Sequence, residues 1–154
     1  MAISFRTTVF VIAFMATLLA VGAALAHALE LPRKMGLSKD SYFTVQQIYA
    51  GWDKLALVLL VQLIAFLVLA WLVRSSPPTL TAIAVAIVCL VAAQIVFWTW
   101  TFPANKATDY WTTIPENWQA QRHNWEYSHL AGAVFQFIGA VALMSAALSN
   151  RPDA

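Results

Sequence analysis

Four stretches of the chain carry no charged residue: Thr7 to Ala26, Leu55 to Val73, Leu80 to Ala104 and Leu130 to Asn150. Apolar positions inside them are nearly continuous and do not alternate, which argues against barrel strands and for helices that satisfy their own backbone. Each is about 19 residues or longer, and roughly 20 residues at 1.5 Å rise span a hydrocarbon core of ~30 Å. The pattern predicts an all-α, four-transmembrane-helix up-down bundle forming one membrane domain over 1–154, with spans near 7–29, 54–74, 79–101 and 127–149. Both termini then share one side with the short connection Ser75 to Thr79, where Pro77-Pro78 enforces a break. The other side receives two long loops, near 30–53 and 102–126.

Both loops carry helical periodicity. Tyr42, Val45, Tyr49 and Trp52 recur at helical spacing behind Asp40 or Ser41 as N-cap, with Gly51 at the end. This predicts a short amphipathic helix lying in the interface. In the second loop, Thr113-Ile114-Pro115-Glu116 has the capping-box pattern. From there Trp118, Arg122, Trp125, His129, Gly132 and Gln136 form one stripe, predicting a helix that starts outside the membrane and runs into the last span.

Composition agrees: 61% hydrophobic and 10% charged residues suit a bilayer-embedded chain, and a net charge of +2 is too small and scattered for nucleic acid. The expected home is a bacterial inner membrane, as a multi-pass protein. Arg33, Lys34, Lys39, Lys54, Lys106 and Arg122 on the loop-rich side outweigh Arg6, Arg74 and Arg151 opposite. A positive-inside count thus turns the loops to the cytoplasm. Lys54 and Arg122 weaken that count if they belong to the site or its helices, and orientation stays open. Arg6, an apolar stretch and Ala24-Leu25-Ala26 also resemble a cleavable signal peptide, though the stretch is longer than the usual ~7–15 residues. The single cysteine, Cys89, excludes a two-cysteine shuttle within the chain.

Polar residues are concentrated where function is expected. His27 and Glu30 end the first run, Glu126 and His129 open the last, and each pair shares a helix face. An up-down bundle brings the two pairs to the same membrane surface. Beneath them, Gln62, Gln94 and Gln136 lie at one depth and are expected to face inward and bond one another, as helix glue or as a pocket floor. All tryptophans but Trp71 map to this side, forming either an interfacial belt or the lining of a flat-ligand site through Trp118 and Trp125.

Three chemistries fit. His27, Glu30, Glu126 and His129 have the spacing of a carboxylate–histidine metal site, with Asp53 and Asp109 as the remaining nearby acids. His27 and His129 could ligate a haem axially. Without a cofactor, His129 or Glu126 could take a proton from a phenolic or enolic substrate while Arg122 holds the anion. The plainer alternative is that Arg122, Glu126 and His129 only pair with one another where the helix enters the bilayer.

The stretch Pro103-Ala104-Asn105, then Trp111, Pro115, Trp118, Arg122, Trp125, Glu126 and His129, resembles the second-loop signature of the anthrone oxygenase-like family of small four-helix membrane proteins. The resemblance implies oxygenation of a lipophilic phenolic ring system without metal or flavin. It implies polar anchoring by Asn105 and Arg122, aromatic lining by Trp118 and Trp125, and proton abstraction by His129. His27, Glu30 and the glutamines rest on spacing alone. The leading expectation is therefore a membrane-embedded oxygenase-like oxidoreductase for a lipophilic aromatic, phenol or quinol. The alternative is a non-enzymatic accessory or ligand-binding subunit, for which Gly132, Gly139 and the alanines of the first and last spans permit close contact within the chain, between copies or with a partner. No internal repeat or broken helix favours a transporter.

Overall fold

In the computed structural model, residues 4–149 are described, and all regular structure among them is helical. Helix α1 spans Phe5–Met35, capped by the Ser4 side chain accepting from the Thr7 N–H, and runs through Pro32. Helix α2 spans Lys39–Gln46 and is followed by 3-10 turns at Gln47–Tyr49 and Trp52–Lys54. Between those turns Gly51 takes φ 87°, a left-handed conformation that favours glycine. Helices α3 (Leu55–Leu72) and α4 (Pro77–Val96) follow, then a π-helical turn at Phe97–Thr101, α5 (Phe102–Ala107) and the long α6 (Trp118–Ser149). Four helical segments are long and apolar enough to cross a membrane: Phe5–Met35, Trp52–Leu72, Pro77–Ala107 and Trp118–Ser149. The all-α bundle expected from the hydrophobic runs is therefore observed. Arg151, counted above with the terminal side, lies outside the described residues.

The helices reach further than the runs suggested. The first passes Pro32 to Met35, and the third reaches Ala107 because the π-turn accommodates Pro103. A proline ring crowds the carbonyl four residues back and offers no N–H, and widening the preceding turn relieves the crowding. Here the Phe102 N–H reaches back five residues to the Phe97 carbonyl. Two local expectations fail. Helix α2 is capped by Ser38 and not by Asp40 or Ser41. No hydrogen bond forms the Thr113–Glu116 capping box among the described residues; α6 begins at Trp118, whose N–H donates to the Pro115 carbonyl at 3.1 Å.

Helix α6 packs against α1 and α4, α1 also packs against α3, and α3 and α4 make the thinnest seam of the ring. Apolar packing falls into two regions. Near the termini, Phe10, Phe66, Leu69, Ile83, Leu90 and Leu143 interlock with Ala13, Ala65, Ala86 and Ala146. Because lipid is as apolar as leucine, close approach and dispersion hold such helices together, and small residues permit it. Gly139 shows this: a Cβ there would lie 3.5 Å from the Cys89 Cβ and 3.7 Å from the Ala86 carbonyl. On the loop-rich side a second, aromatic cluster forms from Tyr42, Phe43, Ala104, Trp111 and Trp125. The expected short amphipathic helix is present as α2: its Tyr42, Phe43 and Gln46 face is buried, with Tyr42 0% exposed, so it packs onto the bundle as a cover.

Polar side chains separate the two regions. Gln62 Nε2 donates to Thr17 Oγ1 at 3.1 Å and to Gln136 Oε1 at 3.2 Å. Gln94 does not join them. It is half-buried and lines a groove at the α3–α4 seam. The expected three-amide layer is therefore a Thr17–Gln62–Gln136 layer, because residue spacing sets depth along a helix but not which neighbour the side chain meets.

Candidate functional site

Helix α1 places His27, Glu30 and Lys34 on one face, at spacings of three and four. Helix α6 answers with Arg122, Trp125, Glu126 and His129, and the α2 cover adds Tyr42, Gln46 and Tyr49. The two histidines meet: their ring centroids are 4.3 Å apart. His27 is also flanked by Tyr49 at 4.6 Å, Trp125 at 5.0 Å and Trp52 at 5.2 Å, and Trp125 lies 4.0 Å from His129.

His129 Nδ1 sits 2.8 Å from the Trp125 carbonyl oxygen. A carbonyl only accepts, so this nitrogen carries the hydrogen, and in the neutral ring Nε2 keeps the lone pair. His129 is thus held in the tautomer of a base. His27 Nδ1 is buried without a hydrogen-bond partner.

Above the histidines lies a buried ionic network. Lys34 Nζ is 2.8 Å from Glu126 Oε1, with the two side chains 4% and 0% exposed. The same carboxylate oxygen accepts from the Tyr42 hydroxyl at 2.9 Å, and Gln46 Nε2 donates to Tyr42 at 2.6 Å. Lys34 also donates to the Tyr49 hydroxyl at 3.1 Å and lies 3.9 Å from Glu30, to which Tyr49 donates. Its ammonium stands 4.4 Å from the Trp125 ring centroid, a cation–π contact within the same shell.

Burial, with Glu126 alongside, pushes the Tyr42 hydroxyl well above the usual phenol range, and burial with Glu30 raises Tyr49 likewise. A raised folded-state value means that Tyr42 supports the fold fully below its unfolded value of about 10 and loses that support as pH climbs beyond it. In alkaline unfolding titrations, wild type should therefore lose stability above pH ~10 more steeply than Tyr42→Phe, by up to about 1.4 kcal/mol per pH unit.

Not every expected site residue joins this cluster. Arg122 does not pair with Glu126: its Nη1 donates to the Leu37 carbonyl at 3.1 Å, and its guanidinium stacks on Trp118 at 4.7 Å. It pins the α1–α2 turn, so the plain pairing of Arg122, Glu126 and His129 is not what forms. Asn105 is occupied elsewhere, accepting from the Trp111 indole at 2.9 Å through Oδ1. Trp111 ends a left-handed run, Asp109 (φ 44°), Tyr110 (φ 52°) and Trp111 (φ 67°), a conformation costing roughly 1–2 kcal/mol per L-residue. Asn105 also accepts the Tyr110 N–H at 2.7 Å, so it holds this turn from both ends. Asn105→Ala should lower stability by about 1–3 kcal/mol in thermal unfolding, because it leaves a buried indole N–H unpaired. A pure ligand anchor would leave the melting midpoint unchanged.

Among the described residues no three His, Cys, Asp or Glu side chains converge as a metal set. Glu30 and Glu126 face Lys34 and tyrosine hydroxyls, leaving the two imidazoles alone, while Asp53 and Asp109 are exposed. With the imidazoles in direct contact, no macrocycle fits between them as axial ligands. Lys34, Tyr42 and Gln46 were not singled out as site residues. The Glu30/Lys34 spacing of four was the available signal for Lys34, and Tyr42 was legible only as part of an amphipathic face.

No protein-family profile, curated protein or solved structure matches the chain.

Proposed function

We propose that the protein is a membrane-embedded oxygenase-like oxidoreductase of a bacterial inner membrane, acting on a lipophilic aromatic, phenol or quinol beside His129. The observation that carries this reading is the fixed tautomer of His129, with its Nδ1–H held by the Trp125 carbonyl and Nε2 left as acceptor. One turn further into the bundle Gly132 leaves room, since a Cβ there would meet nothing within 4 Å. Trp125 supplies a flat wall, and Lys34 places positive charge behind it.

For an anthrone-type ring, Nε2 takes a proton from the acidic CH₂ carbon. The resulting anion is delocalised over the rings and reacts with O₂ directly. One oxygen atom becomes the new carbonyl, and the other leaves as water with the two hydrogens. The resemblance to the anthrone oxygenase-like family over residues 103–129 supports the same chemistry. A second reading, an accessory subunit, draws on the tight packing of His27 among Tyr49, Trp52, Trp125 and His129. Oxygen uptake by nanodisc-embedded protein given an anthrone or a short-chain quinol separates them. Uptake above protein-free discs supports the enzyme, and none with either compound sinks it.

A further inference from the structure

A second place in the bundle has polar groups in need of a partner, and it does not depend on the histidine chemistry. At the α3–α4 seam, Leu63, Leu90, Gln94, Ile95, Trp98 and Thr99 line an open groove of roughly 490 Å³. Its wall is apolar except for two features. The Gln94 amide makes no hydrogen bond to a described residue, although it sits within the membrane-spanning segment Pro77–Ala107. The second concerns Trp98, which lines the groove on the next turn and whose backbone carbonyl lacks its usual helical donors. In α register its donor would be the Phe102 N–H, which is given to Phe97. In π register it would be Pro103, which has no N–H. Thr99 does not fill the gap, since its hydroxyl donates to the Ile95 carbonyl at 2.7 Å.

An amide without a partner and a backbone carbonyl deprived of its i+4 and i+5 donors are costly in hydrocarbon, and a π-turn within a helix often marks a functional site. The Trp98 indole, 58% exposed and braced by Phe102 at 4.8 Å and Phe97 at 5.4 Å, adds a flat face beside them. No ionisable side chain lines the groove. We propose that the α3–α4 groove binds a neutral, lipid-soluble hydroxyarene arriving laterally from the bilayer, with its hydroxyl donating to the Trp98 carbonyl, its oxygen accepting from Gln94 and its ring lying on Trp98. A phospholipid acyl chain would fill the same volume but satisfy neither polar group.

The test is equilibrium dialysis of 2-naphthol and 2-methoxynaphthalene against lipid nanodiscs with and without the full protein. We expect saturable binding of 2-naphthol, about tenfold weaker binding of the methyl ether, which cannot donate, and about tenfold weakening in Gln94→Leu. Ile95→Trp, at a lipid-exposed position on the groove mouth, should abolish binding without disturbing the packed interior. Equal binding of both naphthalenes would mean that the groove does not read the hydroxyl and would overturn the proposal, as would the absence of any saturable excess. Loss in His129→Ala with retention in Gln94→Leu would also overturn it, because the ligand would then sit beside the histidines, where the oxygenase reading stands.

Discussion

Glu126→Ala is expected to lower the unfolding free energy by about 3–5 kcal/mol, the usual penalty for leaving one member of a buried ion pair alone. The substitution strands Lys34, 4% exposed, against the faces of Tyr49 and Trp125, and it removes the acceptor of the Tyr42 hydroxyl. Glu30 is 3.9 Å from the ammonium but 41% exposed, so solvent weakens its compensation. Lys34→Met should be comparably damaging, since it leaves a carboxylate with 0% exposure whose second oxygen already has no partner. The double variant Lys34→Met/Glu126→Leu should recover most of the loss, because apolar groups of similar volume need no counter-charge. Thermal unfolding of the four proteins in one detergent reads the coupling. Single-variant losses below about 1 kcal/mol would show that the pair behaves as a solvated surface bridge.

His129→Ala should reduce the rate of anthrone-dependent oxygen uptake by about 10²- to 10⁴-fold, the range set by removal of a general base. His129 is half-buried and its Nδ1 bond goes to its own helix, so the melting midpoint should move far less than in Glu126→Ala. Trp125→Phe keeps the carbonyl that fixes the tautomer and should retain more activity than His129→Ala while losing more stability. Initial rates of oxygen consumption, measured beside melting curves, make the comparison. Unchanged uptake in His129→Ala would refute the assigned base even if the protein proves to be an oxygenase.

What the chain revealed on its own follows from what lipid enforces. Charge-free runs had to become helices, and an up-down order had to bring His27 and His129 to one surface, where their rings now lie 4.3 Å apart. Periodicity gave depth but not azimuth, so Gln62 and Gln136 were placed correctly while Gln94 was not. Lys34 reads as a flanking charge because its closest partner, Glu126, lies on the far helix α6, and its spacing of four from Glu30 points only to a pair within α1. The spans expected near 7–29 and 79–101 stop short of Pro32 and Pro103, yet both helices continue through them, the second by way of a π-turn. Asn105 was read as an anchor, but its partner Trp111 is brought back only by the left-handed turn, a conformation that neither Tyr110 nor Trp111 advertises.

The ionic network has one further property. Lys34 carries one positive charge and Glu30 and Glu126 carry two negative ones, so the network holds one net negative charge, with Arg122 outside it on the Leu37 carbonyl. If a neutral ring gives its proton to His129, an imidazolium and a carbanion arise together beside that network and its net charge does not change. No ion has to cross the low-dielectric boundary to balance the step, and bulk salt has little to screen. Turnover should accordingly be almost indifferent to ionic strength, unlike that of an enzyme that must draw a charged substrate from water.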